Sequence, residues 1–417
     1  MAFLSLLDDR MKPKGSRDPL GFELIWSKLG RNVIGNLTTI TGSSENFATA
    51  ILGFHWANEI AGDVKGNSRV KRVRDIFLRF EQIAAYMRKH GNSDSVMGVN
   101  RVSKRLGDAS LKSLKLGSSS ESQILSNQVS YGLWGLYSSA MRDTKLVKGE
   151  ARVPTEIGIG IAKDIEKKLD KKSFITLISQ SSIRKSDIEK YSSKFMKAIN
   201  SDSVQKLLLE SLLMGATDEG ASLQKELWEK TCDLMPEGIF DNGKKLSIAL
   251  FIFNIKKQGV SMQLTKALSD IEKVERTLVI MNNIFHYCRS RHDFSLEEIS
   301  NDIKNQKYDF SMLCPKLENI SIPRKEITIK PIKHLIDGDY IGAINSILDL
   351  NKIVMKSRGG AAWITAPKGR LDVVVKSESR SLIPNSKLQS TWHYDYFLGS
   401  YLGMARKYAN QYLLVSG

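Results

Sequence analysis

Cysteine, histidine and proline are scarce in this 417-residue chain, at 3, 6 and 9 residues. The three cysteines (Cys232, Cys288 and Cys314) lie far apart, outside any CxxC pair and away from histidines at zinc-ligand spacing. That excludes a disulfide framework and a zinc finger, and leaves free thiols in a reducing compartment as the expectation. Long apolar runs are missing too. The most apolar stretch, Leu246–Ile255, is about half the roughly 20 residues that cross a bilayer, and lysines flank it. It reads as a buried core helix. The opening MAFLSLLDDR has too short an apolar run for a signal peptide. A cytoplasmic protein with no membrane partner is expected.

Recognisable catalytic motifs are absent as well. Gly158-Ile159-Gly160 begins like a dinucleotide loop, but Lys163 stands where the third glycine belongs, and no GxxxxGK[ST] occurs. No cofactor is therefore expected. A nuclease strand of the PD-(D/E)xK kind needs an acid and a lysine two residues apart. Asp372 and Lys376 are four apart, with Val374 between them, so alternation on an edge hairpin explains the segment better. His55 and Glu59 share one helix face, yet no HExxH motif or second ligand pair accompanies them, and a packed histidine is the preferred reading over a metal ligand. His292-Asp293 reads as a helix end, where imidazole suits the negative pole of the dipole. No catalytic and no metal-binding residue is assigned, and the chain is expected not to be an enzyme.

Positive charge is what the chain has in excess. Lys and Arg number 62 against 45 Asp and Glu, a net charge of +17. The 41% hydrophobic fraction belongs to a globular protein. A surplus of this size biases a protein toward polyanions. About half of it, +9, lies between Lys65 and Lys115. Within that stretch Arg69, Lys71, Arg72, Arg74, Arg101, Lys104, Arg105, Lys112 and Lys115 are the candidate nucleic-acid contacts, because affinity for phosphate grows with the number of cations on one surface. A solvated helix face is the competing reading. The basic segment Lys12–Arg17 could be an arm that reaches phosphate or a plain terminus. Trp392, His393, Tyr394, Tyr396 and Phe397 offer rings on which bases could stack, but packing of the last helix onto a hairpin that carries Trp363 is the preferred reading.

Hydrophobic spacing predicts a mainly α, multi-helical protein with a small C-terminal β-hairpin region. Helices are expected over Ser43–Ala61, Ser68–Lys89 and Gln263–Arg289, with a capping box at Ser295–Glu298. Four regions are expected: a basic helical domain over 1–117, a winged-helix-like segment over 118–170, a helical core over 171–318, and an α+β subdomain over 319–417. Gly117–Ser122 (GSSSES) reads as a linker. A helix over Glu121–Arg142, a hairpin over Leu146–Val153 and a helix over Thr155–Leu169 follow the order of a winged helix, and a three-helix arrangement stays open beside it. The stretch Ile320–Ile332 reads as a β-rich connection. Strands at Ala361–Ala366 and Leu371–Lys376 and a helix over Trp392–Leu413 complete the chain.

Four segments carry a family resemblance: GSRDPLGFELIW with GNLTTITG, SNQVSYGLWGLYSSAMRDTKLV, DIEKVERTLVIMNNIF, and GGAAWITAPKGRLDVVV with STWHYDYFL. Together they resemble a loose group of uncharacterised bacterial proteins associated with anti-phage defence operons. The resemblance implies an accessory or DNA-engaging subunit beside an ATPase, helicase or nuclease, and brings no catalytic residues. The leading expectation is a non-enzymatic nucleic-acid-binding subunit, with DNA preferred to RNA. A helical scaffold that recruits protein partners, and a metal-dependent nuclease with an unrecognised site, remain the alternatives.

Overall fold

The computed structural model describes residues 15–215, 223–240 and 246–412. The protein is mainly helical, and its sheets among the described residues are three two-stranded antiparallel ribbons. Two compact units form, each from stretches distant in sequence: the chain up to Val33 joins Leu246–Tyr396, and Ile34–Lys245 joins the chain from Phe397. Positions 117 and 170, expected as boundaries, fall inside the second unit, and 318 falls inside the first.

The first unit begins with α1 (Glu23–Val33), which Asp18 caps by accepting the backbone N–H groups of Phe22 and Glu23 at 2.7 and 3.1 Å.

The second unit begins with α2 (Ser44–Ala61) and α3 (Gly66–His90). Ser43 caps α2 through the Asn46 N–H. The two helices meet at Gly53, where a Cβ would run into the Phe77 and Phe80 rings. Phe54 stacks on Phe77 with centroids 4.3 Å apart, and Trp134 meets both at steep angles. Helix α4 (Val99–Gly107) and strand β1 (Ser113–Lys115) follow. The expected linker at Gly117–Ser122 is held in place. The Gln82 amide donates to the Gly117 carbonyl and accepts its N–H, each at 2.8 Å.

The helix expected over Glu121–Arg142 is instead three short ones, α5 (Gln128–Tyr131), α6 (Leu133–Leu136) and α7 (Ser138–Asp143). Glu81, buried on α3, interrupts it by accepting the Leu133 N–H at 2.6 Å and the Gln128 amide at 2.8 Å. Gly132 has to be glycine here, since a Cβ would strike the Glu81 carboxylate.

Burial pushes the Glu81 carboxyl up to about 7 from an ordinary 4.5. The folded state therefore favours the protonated acid. That contribution is complete below about 4.5 and is lost as pH rises through about 7. Glu81→Gln should flatten the decline of thermal stability between pH 5 and pH 8, whatever it does to the midpoint itself. Parallel curves for parent and variant would remove Glu81 as the cause.

The expected hairpin forms as β2 (Val147–Lys148) and β3 (Val153–Pro154), with Gly149 in the turn at φ 68°. Thr155 caps α8 (Glu156–Glu166) and Asp170 caps α9 (Lys171–Ser179). The two glycines of the GIG segment lie in α8, where a Cβ on Gly158 would strike the Leu146 carbonyl, so that glycine serves close packing. Strand β4 (Ser182–Arg184) returns to pair with β1, placing buried Ile183 opposite buried Leu114. Helices α10 (Lys185–Ile199), α11 (Asp202–Met214) and α12 (Leu223–Leu234) follow.

The first unit resumes with α13 (Ile248–Lys257), the apolar run of the sequence. Phe251, Ile252 and Ile255 are buried, while Leu250 and Phe253 stay exposed, so the expected core helix buries one face only. Helix α14 (Met262–Cys288) takes the place of the helix expected over Gln263–Arg289, and α15 (Leu296–Asn305) has its capping box formed in both directions. After α16 (Phe310–Leu313), the stretch expected to be extended is helical as α17 (Lys325–Ile336), with Pro331 inside it. Thr328, Pro331, Ile332 and Leu335 are buried at helical spacing, and that burial outweighs the strand preference of its Ile and Thr residues and the proline's missing N–H. Helix α18 (Tyr340–Ser357), strands β5 (Ile364–Thr365) and β6 (Asp372–Val373), and α19 (Asn385–Leu388) complete the unit.

The last helix, α20 (Leu398–Tyr412), belongs to the second unit. It starts later than expected, because Tyr396 and Phe397 hold φ at 50° and 62° and cannot be helical. No helix of the described residues is long and apolar enough to cross a membrane. All three cysteines are free.

Candidate nucleic-acid interface

Helix α3 is amphipathic over its first half. Val73, Phe77 and Phe80 turn into the second unit, and Lys71, Arg72, Asp75 and Arg79 turn away from that core. The outward side chains line a cleft of about 440 Å³, with Ile60 from α2 and Ile178 from α9 as its apolar walls. That size lies within the rough 300–1,000 Å³ range of small-ligand pockets. Lys71, Arg72 and Arg79 make no side-chain hydrogen bond or ion pair with any described residue, and neither does Asp75, which stands among them. Three cations are thus directed at one cleft, against a single acid.

The expected contact residues divide by what their side chains do. Lys71, Arg72, Arg74, Lys104 and Lys112 make no side-chain hydrogen bond or close ion pair among the described residues, although the Lys104 charge reaches Asp108. Arg69 ties α3 to the end of α2, donating to Asn58 Oδ1 at 3.2 Å and to the Gly62 and Val64 carbonyls. Arg105 holds the loop after β1, donating to the Ser122 carbonyl and the Tyr86 hydroxyl, each at 2.9 Å. Arg101 donates to the Gln123 carbonyl at 3.0 Å, and Lys115 pairs with Glu121 at 2.5 Å. Carbonyls and a carboxylate therefore hold four of the nine candidates.

Arg79 was not among those candidates, although its place two turns beyond Arg72 was a legible signal. Arg88, counted in the same basic run, is 2% exposed and pairs with Glu45 at 3.2 Å. It belongs to the core.

Of the aromatic candidates, Trp392, His393, Tyr394 and Tyr396 lie in the first unit and Phe397 in the second. Of the basic segment, Lys12–Lys14 lies outside the described residues, and Ser16 is tied to Arg358 at 2.6 Å. Tyr394 stacks on Trp26 with centroids 6.2 Å apart, and Tyr396 meets Trp26 and Trp392 edge-on. Tyr394 and Tyr396 thus pack against α1, and Trp363 lies under the Arg289 guanidinium at 4.7 Å. Asp372 and Lys376 are both exposed. His292 lies past the end of α14, where its Nδ1 accepts the Val373 N–H at 3.0 Å, so it closes the strand and does not sit at the dipole.

No family model, curated protein or solved structure matches the chain.

Proposed function

We propose that the protein is a non-enzymatic nucleic-acid-binding subunit that engages duplex DNA, in preference to RNA, through the outer face of α3. Lys71, Arg72 and Arg79 bind backbone phosphate, and Lys104 and Lys112 add charge. The observation that carries this reading is the cleft of Lys71, Arg72 and Arg79, cations with no ion pair among the described residues, in a chain of net charge +17. Phosphate contacts of this kind position a protein on DNA and carry no sequence information. Helix α7, the one before the hairpin, has only six residues and buries Ser138, Ala140 and Met141. The contact is therefore assigned to α3 and not to a recognition helix of winged-helix type. In this reading the chain works in the cytoplasm, within a larger bacterial assembly of anti-phage defence whose ATPase, helicase or nuclease supplies the chemistry.

Fluorescence anisotropy with labelled duplexes of unrelated sequence tests the reading. Affinities should agree within a few-fold between sequences, and should fall by about tenfold or more between 50 and 200 mM salt. The labelled strand should stay full length in Mg²⁺ or Mn²⁺. Absence of binding at 50 mM salt would favour the protein-recruiting scaffold.

A further inference from the structure

A second cleft in the same unit, of about 370 Å³, is lined by His55, Glu59, Glu166 and Lys171. We propose that His55, Glu59 and Glu166 form a binding site for a first-row divalent metal ion of the Zn²⁺ class.

The ligand atoms lie where one ion could reach them all. His55 Nε2 is 3.6 Å from Glu166 Oε2 and 3.9 Å from Glu59 Oε2, and the three residues offer atoms within 4.8 Å of one another. Ligands about 2.1 Å from one ion stand roughly 3–4 Å apart, so little movement is needed. His55 and Glu59 are one helical turn apart on α2, and Glu166 is the last residue of α8. The cleft is open, which leaves further coordination positions to water.

Lys171 shows that this place holds positive charge. Its ammonium lies 2.8 Å from Glu59 Oε1 and 3.1 Å from Glu166 Oε2, bridging both carboxylates as a cation would. It stands in the first turn of α9 with a third of its side chain exposed, so its stem can swing to solvent when an ion enters. The Trp56 indole N–H donates to Glu166 Oε2 at 2.6 Å, the kind of outer contact that orients a metal-binding carboxylate. The set mixes imidazole with carboxylate, a donor combination that suits Zn²⁺ and its first-row neighbours.

The test is Zn²⁺ titration of the full chain in competition with a chromophoric chelator. One site per chain should appear, and His55→Ala should weaken it at least about tenfold. Lys171→Met should tighten it several-fold, because the competing ammonium is gone. A misfolded variant cannot produce that gain, so the result stands even if His55→Ala is unstable. Zn²⁺ bound no more tightly by Lys171→Met than by the parent would overturn the site, as would a folded His55→Ala that binds as the parent does.

Discussion

Replacing Lys71, Arg72 and Arg79 together by glutamate should weaken duplex DNA binding by about tenfold or more, and should reduce the log–log salt slope by about three. The three side chains meet at one cleft and none has a hydrogen bond or ion pair among the described residues, so reversal removes three phosphate contacts and sets repulsion in their place. Thermal unfolding should barely move, because exposed charges contribute little to stability. The choice of residues decides the outcome. Arg69 and Arg105 lie in the same basic run, but each holds backbone carbonyls, and their reversal would confuse lost binding with a disturbed loop. Unchanged affinity and slope in the triple variant would move the interface to Lys104 and Lys112.

The largest loss of stability should come from Arg88→Met. The Arg88 guanidinium is buried, and it donates to Asn46 Oδ1 at 2.7 Å, Ser95 Oγ at 2.8 Å and Glu45 Oε2 at 3.2 Å. Burial alone would raise the Glu45 pKa. The hydrogen bond from Ser93, the Arg88 charge and the Asn200 amide outweigh it and hold Glu45 below its ordinary value. Removing Arg88 takes the counter-charge from Glu45, which keeps its Ser93, Ser95 and Asn200 hydrogen bonds, and leaves the Asn46 Oδ1 acceptor without its donor. Breaking one partner of a fully buried pair costs roughly 3–5 kcal/mol; with Glu45 21% exposed, a loss of roughly 2–3 kcal/mol is expected, which for a unit of this size lowers the melting temperature by roughly 5–10 °C. Arg88→Met combined with Glu45→Met should recover part of the loss, since the remaining charge goes too. A melting temperature within about 2 °C of the parent would mean that the pair is a spectator.

Helix positions and caps were legible in the sequence wherever one face of a long segment was apolar. The helix expected over Gln263–Arg289 and the Ser295 box are both read from neighbours within one or two turns, and local chemistry is enough to form them. Misreadings arose where a distant group decided the backbone. The helix expected over Glu121–Arg142 is broken by a carboxylate on α3, far away in sequence. The stretch around Pro331 is helical because its buried face is worth more than its residue preferences. The division into units was hidden for the same reason, since composition cannot show that α1 belongs with residues beyond 245.

Charge shows the same division. The sequence by itself determined a mainly helical fold and a basic excess gathered between Lys65 and Lys115, because periodicity and charge are properties of the chain. Only the tertiary structure decided which of those cations face solvent. Arg88 is in the core, Arg69 and Arg105 close loops, and Lys71, Arg72 and Arg79 share a cleft. It also brought Glu166 and Lys171 beside His55 and Glu59, which the chain separates by about a hundred residues. A side chain's charge is fixed by its type, but its partner is fixed by packing, and packing brings together groups that no local spacing connects.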